Sequence, residues 1–152
     1  MDMISKTFHA GAQPVKGDRL FLQFPALPSQ VGAARHAIAD FLRHQGWRQD
    51  DTDDVMLAVG EAGNNAVCYG RGEGSAAMVS IVCTLLAPQR LQIDVRNQGT
   101  GFQADLDTLC RLPDNDATHG RGFALMQVLM DDVEVMRDGP QTVVRLTKSC
   151  TA

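Results

Sequence analysis

Several short apolar runs of the chain predict β-strands, and in the first of them Leu20, Leu22 and Phe24 occupy every second position, the spacing typical of a half-buried strand. The first run is expected near a sheet edge. Two later pairs of runs predict β-hairpins, one around the turn Ala87–Arg90 and one around Asp138-Gly139, a residue pair that favours tight hairpin turns. The predicted strands span Asp18–Leu27, Met78–Leu86, Leu91–Arg96, Val133–Met136 and Thr142–Leu146.

Other segments have apolar residues at helical spacing. Val31–Gln45 predicts an amphipathic helix, with Ser29 as its N-cap and Gly46 at its end. Phe123–Met130 is apolar on all sides, so we expect this helix to be well buried. Two further features are expected before it: a short helix over Asp105–Leu112 and a mobile lid over Gln103–His119.

The helix after Trp47–Asp50 carries the first candidate chemistry. Its acidic first turn suits the helix dipole, whereas Gly60 and Gly63 lower its propensity and indicate either close packing or room for a ligand. Glu61 and Asn65 are four residues apart and therefore project from the same side of the helix. A carboxylate and an amide oxygen there could form part of a magnesium shell, or Glu61 could accept a proton from a hydroxyl. Taken alone, the pair is better explained as a solvated polar face with a helix-stabilising side-chain pair.

Two glycine-rich turns follow. Gly99 and Gly101, just after the predicted strand Leu91–Arg96, let the backbone come close to a ligand, and the Asn97 amide offers hydrogen bonds to a base edge. His119–Gly122 opens a helix, where exposed N–H groups and the Arg121 charge would suit phosphate oxygens. Each motif alone is also compatible with an ordinary turn.

Length, net charge and cysteine content exclude several classes of protein. With 152 residues the chain fits one domain, residues 1–152 with a core of about 18–148, and a net charge of −4 argues against direct binding to nucleic acid. No apolar run is long enough to span a bilayer, so the expected address is cytoplasmic. The four cysteines are scattered and are interpreted as reduced thiols: Cys68, Cys83, Cys110 and Cys150.

The order of these motifs is more specific than any one of them. The segments DVMLAVGEAGNNAVCYG, IDVRNQGTGF and HGRGFALMQVLMDDVEV resemble the three nucleotide-binding boxes of the GHKL ATPase superfamily, and in particular its anti-sigma-factor serine kinases. The resemblance covers roughly residues 18–148. It implies an α/β (α+β) two-layer sandwich of the Bergerat type, with a mixed, mainly antiparallel sheet and helices on one face.

The resemblance also implies an activity and its residues. The chain would be an ATP- and Mg²⁺-dependent serine/threonine kinase that phosphorylates an anti-anti-sigma (STAS) antagonist and binds a sigma factor or another regulator in competition with it. Small kinases of this type often work as dimers, which leaves a homodimer open. The implied roles are Glu61 as base, Asn65 at Mg²⁺, Asn97, Gly99 and Gly101 at adenine, and His119, Gly120, Arg121 and Gly122 at the phosphates.

Asn97 departs from the family pattern. The second box usually begins with Asp, whose carboxylate accepts a hydrogen bond from the adenine amino group; an Asn carbonyl can make the same bond but is neutral. The alternative is therefore a non-catalytic or weakly nucleotide-binding regulatory module of the same fold.

Overall fold

The computed structural model describes residues 19–70, 78–98, 118–139 and 141–151, except for the side chains of residues 69, 70, 98 and 118–121. These residues form five strands and three helices. In chain order they are β1 (Arg19–Pro25), α1 (Pro28–His44), α2 (Gln49–Gly70), β2 (Met78–Ala87), β3 (Arg90–Gln98), α3 (Thr118–Leu129), β4 (Asp132–Asp138) and β5 (Gln141–Ser149).

The strands form one sheet in the order β1-β2-β3-β5-β4, and all four pairings are antiparallel. Both predicted hairpins are confirmed, β2 with β3 and β4 with β5, and β1 lies at an edge as expected. Because side chains alternate between the faces of a strand, one face of this sheet is apolar and packs against the helices. Leu22, Ile81 and Ile93 lie on this face in neighbouring strands and are fully buried. The predicted two-layer α+β architecture is therefore confirmed.

Helix α1 begins earlier than the sequence predicted. Pro28 is its first residue and Leu27 its N-cap, so Ser29 lies inside the first turn and the predicted Ser29 cap is wrong. Proline suits this position because its fixed φ is already helical and its missing N–H has no intrahelical partner to lose. The expected end is confirmed, since Gly46 has a φ of 82° immediately after the C-cap.

Close packing explains the glycines of α2. A Cβ built on Gly63 would lie 2.8 Å from Val31 Cγ1 of α1, and one on Gly60 would lie 3.2 Å from Arg35 Cδ. The apolar side of α2 is buried as expected except at Leu57, which is 48% exposed. Of the two explanations for these glycines, the structure supports helix packing.

Helix α3 is less buried than predicted. Phe123, Met126 and Met130 are in the core, but Leu125 is 37% and Val128 is 80% exposed. The helix also begins at Thr118 rather than at Phe123. The prediction of a helix buried on all sides is wrong because α3 packs with one side on α2 and the sheet, while its other side faces solvent.

Other expectations lie wholly or partly outside the described residues. These are the short helix over 105–112, the lid over 103–119 up to the start of α3, Cys110, and the glycines at 99 and 101. Within the described part, Cys68, Cys83 and Cys150 form no disulfide, in agreement with reduced thiols. None of the described helices combines the length and apolarity that crossing a membrane would require.

Candidate functional site

The Glu61 carboxylate lies against the first turns of α3. A Cβ built on Gly122 would be 2.5 Å from Glu61 Oε1, closer than real Cβ atoms come to other atoms, and 3.5 Å from Glu61 Cδ, an ordinary van der Waals distance. A side chain at position 122 would therefore displace the end of the Glu61 side chain from its present place. The contact between Glu61 and Gly122 joins two motifs that are 61 residues apart in the sequence, and Glu61 remains partly accessible to solvent.

Next to this contact is a small cavity between α2, α3 and the sheet. Its volume is about 20 Å³. Helix α2 contributes Asn65, α3 contributes Phe123, and the central strands contribute Asn97 and Thr142. The complete lining is Ala62, Asn65, Ala66, Val95, Asn97, Phe123, Thr142 and Val144.

Three buried polar atoms in this lining have no hydrogen-bond partner among the described residues: Asn97 Oδ1, Asn97 Nδ2 and Thr142 Oγ1. Asn97 is 3% and Thr142 4% exposed, and the two residues are direct neighbours in the β3–β5 register. Buried polar groups nearly always have partners, and leaving one unsatisfied costs roughly 1–3 kcal/mol. A partly open cavity of this volume has room for about one water-sized group, and its unsatisfied amide and hydroxyl are chemically suited to the polar edge of a nucleobase that reaches them from the open side.

The start of α3 has the properties of an anion site. Its first turn contains no acidic residue, and the first N–H groups of a helix have no intrahelical acceptors. Among the predicted phosphate residues, His119, Gly120 and Arg121 lie in this first turn, but their side chains are outside the described set, as are Gly99 and Gly101 entirely. Their predicted roles remain predictions.

Asn65, the predicted Mg²⁺ ligand, lines the cavity. It is 9% exposed and lies one turn after Glu61 on the side of α2 that faces α3. The described residues contain no cluster of three or more His, Cys, Asp or Glu side chains that could hold a metal by itself. Mg²⁺ needs no such cluster, since it commonly binds through one or two protein oxygens together with phosphates and water.

Thr142 and Phe123 line the cavity but were not identified as site residues from the sequence. Thr142 stands out as a polar residue before the apolar pair Val143 and Val144, which was the one available signal. Its significance follows only from the pairing of β5 with β3, which places Thr142 beside Asn97. Phe123 was predicted to be a core residue, and it is both core and cavity wall.

Residues 24–148 match the family model described as "Histidine kinase-like ATPase domain". A relative named "Serine-protein kinase RsbW" from Bacillus pumilus is 34% identical over 135 residues, which cover 83% of each chain. One of the same name from Bacillus velezensis is 32% identical over 83% of this chain and 82% of its own. A relative named "Anti-sigma F factor" from Bacillus thuringiensis is 29% identical over 84% of this chain and 89% of its own.

Solved structures share the fold at lower sequence identity. The structure of the RsbU and RsbW domains of a Mycobacterium tuberculosis protein matches with a TM-score of 0.66 and 17% identity over 88% of this chain and 32% of that longer chain. The SiaB-SiaC complex from Pseudomonas aeruginosa contains a chain that matches with a TM-score of 0.61 and 14% identity, over 84% of this chain and 88% of that one. With the family match and relatives above 30% identity, this chain belongs to the histidine kinase-like ATPase domains, in the GHKL group of anti-sigma-factor serine kinases.

Proposed function

We propose that this chain is an ATP-dependent serine/threonine protein kinase that regulates transcription by partner switching. It transfers phosphate to a small STAS-type antagonist and binds a sigma factor or another regulator in competition with that antagonist. The observation that carries the proposal is the contact between Glu61 and Gly122 beside the cavity lined by Asn65 and Asn97. The nearness of a carboxylate, an amide, a small cavity with unsatisfied polar atoms and a helix N-terminus supports the proposal.

Each element of the site has a distinct role in this proposal. Asn97 and Thr142 bind the edge of the base, with Gly99 and Gly101 at its border. The first turn of α3, including His119, Gly120 and Arg121, holds the phosphates through its N–H groups. Asn65 would hold Mg²⁺, which when bound would neutralise negative charge on the phosphates.

Glu61 is the proposed general base. It lies beside the start of α3, where the phosphates would be, and it is partly exposed, so a serine or threonine hydroxyl of a bound partner can reach it. In that position its carboxylate would accept the hydroxyl proton as the oxygen attacks. Phosphoryl transfer depends mostly on positioning and charge stabilisation, and this arrangement would provide both.

The names of the relatives support the chemistry and the partners. Two relatives above 30% identity are named serine-protein kinases, and another relative is named an anti-sigma factor. Together with the geometry of Glu61, these names favour phosphoryl transfer to a protein hydroxyl over simple ATP hydrolysis.

Incubation of the purified chain with Mg-ATP and a cognate STAS partner tests the proposal. Mass spectrometry should show one added phosphate on the partner, at a serine or threonine. Glu61→Ala should lower the rate at least 100-fold, the lower range for loss of a general base. Glu134→Ala, which removes an exposed carboxylate on β4, should leave the rate unchanged. Tight binding of ATP without transfer to any cognate partner would argue against the kinase.

Asn97 gives one reason to consider a second function. A neutral amide in the place of a carboxylate favours weaker adenine binding, which would suit a regulatory module that binds partners without catalysis. The Glu61→Ala variant separates the two functions. It should lose regulation that depends on phosphorylation if the chain is a kinase, and should keep partner binding and regulation intact if the chain is a binding module.

A further inference from the structure

We propose that the base pocket accepts 6-oxopurine nucleotides, the class to which inosine and guanosine nucleotides belong, about as readily as ATP. Asn97 is the specificity-determining residue. The inference rests on the nucleotide binding proposed above and adds to it which bases the site distinguishes.

The Asn97 amide is not held in one orientation by hydrogen bonds from the described residues. Both its amide oxygen and its amide nitrogen are buried, and neither has a hydrogen-bond partner in the described part of the chain. No described neighbour therefore fixes which way the amide points. Rotation by 180° about its last torsion exchanges the donor and the acceptor at almost no change in shape.

The two purine edges carry different hydrogen-bonding groups. Adenine presents the N–H donor of its 6-amino group beside the acceptor N1, whereas a 6-oxopurine presents the acceptor O6 beside the donor N1–H. An amide in one orientation complements the first pair, and in the flipped orientation it complements the second. A carboxylate that faces the 6-position of the base has only acceptors, so it accepts a hydrogen bond from the adenine amino group and repels O6.

The other side chains that line the cavity do not distinguish adenine from a 6-oxopurine either. Thr142 Oγ1, the other unpartnered atom beside Asn97, is a hydroxyl that can rotate to donate or to accept. Asn65 carries another amide, and the remaining five side chains of the lining are apolar. No side chain in this lining is restricted to donating or to accepting, so none favours adenine over a 6-oxopurine.

Calorimetric titration of the full chain with ATP and with ITP, both with Mg²⁺, tests the inference. ITP lacks the 2-amino group of GTP, so it differs from ATP only at the edge in question. We expect the two dissociation constants to agree within about tenfold. Asn97→Asp should shift the ratio toward ATP by about tenfold or more, the usual contribution of one hydrogen bond to a charged group.

Gln92→Glu is the matched control. It makes the same amide-to-carboxylate change on the same strand, but on the other face of the sheet, five residues from Asn97. It should leave the ratio of ATP to ITP affinity unchanged. Thermal unfolding of each variant confirms that it is folded, and the wild-type ratio decides the question even if Asn97→Asp does not fold.

The outcomes separate this inference from the proposed function. Tight ATP binding with ITP more than tenfold weaker would overturn the inference and leave the nucleotide site standing. An unchanged ratio in folded Asn97→Asp would overturn the role of Asn97. Failure of both nucleotides to bind would overturn the inference and the nucleotide site together.

Discussion

Gly122 sets the position of the Glu61 carboxylate, because any side chain there would occupy the space that Oε1 now fills. Gly122→Ala should move the carboxylate by about 1 Å, which the flexible glutamate side chain allows. Misplacement by that distance lowers rates by roughly 100-fold. Stability should change by less than about 1 kcal/mol, since Ala also favours the helix. Initial rates of partner phosphorylation and a urea denaturation curve measure the two effects.

Gly32→Ala is the matched control for that variant. Gly32 is also helical, in α1, and a Cβ there meets nothing within 4 Å. It should keep the wild-type rate. Equal rates for both variants would show that the position of Glu61 does not limit transfer.

Asp51 connects the start of α2 to the end of the chain. Its Oδ2 accepts hydrogen bonds from the Thr151 N–H at 2.9 Å, the Thr151 hydroxyl at 2.8 Å and the Cys150 thiol at 3.4 Å. Burial by itself raises the pKa of Asp51, but these hydrogen bonds and the nearby Lys148 charge outweigh it and lower the pKa below 3.8. The carboxylate therefore stabilises the fold in its ionised form.

Asp51→Asn should lower the free energy of unfolding at pH 7 by about 1–3 kcal/mol. The amide has only one acceptor oxygen and adds an N–H donor, so at least one buried polar group loses its hydrogen-bond partner. The unfolded carboxyl titrates near pH 3.9 and the folded one lower, so the difference between wild type and variant should hold above about pH 5. It should shrink as the pH falls below about 4, because the unfolded carboxyl then binds a proton while the folded one stays ionised, and the loss is complete once the pH is below the folded pKa as well. Urea denaturation across this range measures it, with the exposed Asp50→Asn as control. A difference that persists undiminished at acid pH would contradict the assignment.

At the scale of elements, the contact of α1 with α2 depends on Gly63. A Cβ at this position would lie 2.8 Å from Cγ1 of Val31, a buried, β-branched residue that cannot move aside easily. Gly63→Ala should destabilise the protein by about 1–3 kcal/mol, the usual cost of overpacking, although Ala is the better helix former. Gly32→Ala gains the same helix propensity without a clash and should stabilise by about 0.5–1 kcal/mol. Denaturation midpoints of the two variants should therefore move in opposite directions.

Local sequence patterns predicted where helices and strands lie better than they predicted which of their side chains are buried. The alternation in β1 and the helical spacing in α1 depend on neighbours in the sequence, and both elements were predicted within a few residues. The exposed side of α3 was not predictable in this way. Val128 is as apolar as its buried neighbours, and only the arrangement of α3 against α2 shows that it faces solvent.

At the scale of the whole molecule, the strand order creates the site. Strand β5 lies between β3 and β4, so residues 45 positions apart in the sequence, Asn97 and Thr142, become direct neighbours. The sequence motifs predicted Glu61, Asn65 and Asn97, because their spacing and order are local or family features. Thr142 could not be predicted, because its role comes from a pairing between distant strands that no local pattern encodes.

Ligand binding should be measurable as stability of the whole domain. A ligand that binds only the folded chain stabilises it by about 2.7 kcal/mol at 100 times its dissociation constant, or roughly 5–10 °C in Tm for this size. We expect Mg-ATP to raise the Tm of the wild type more than ATP with a chelator does. Asn65→Ala should remove that difference between Mg-ATP and metal-free ATP, because the proposed metal ligand is gone.

Asn64→Ala is the internal control for this experiment, since Asn64 is the adjacent residue on α2 but is exposed. It should retain the full Mg²⁺-dependent part of the Tm shift. The comparison is made on ligand-induced shifts and not on absolute Tm values, because truncation of the buried Asn65 changes the stability of the free protein as well. If the Mg²⁺-dependent part of the Tm shift persists in Asn65→Ala, other groups bind the metal. The Tm shift produced by ATP without metal still reports on the nucleotide site itself.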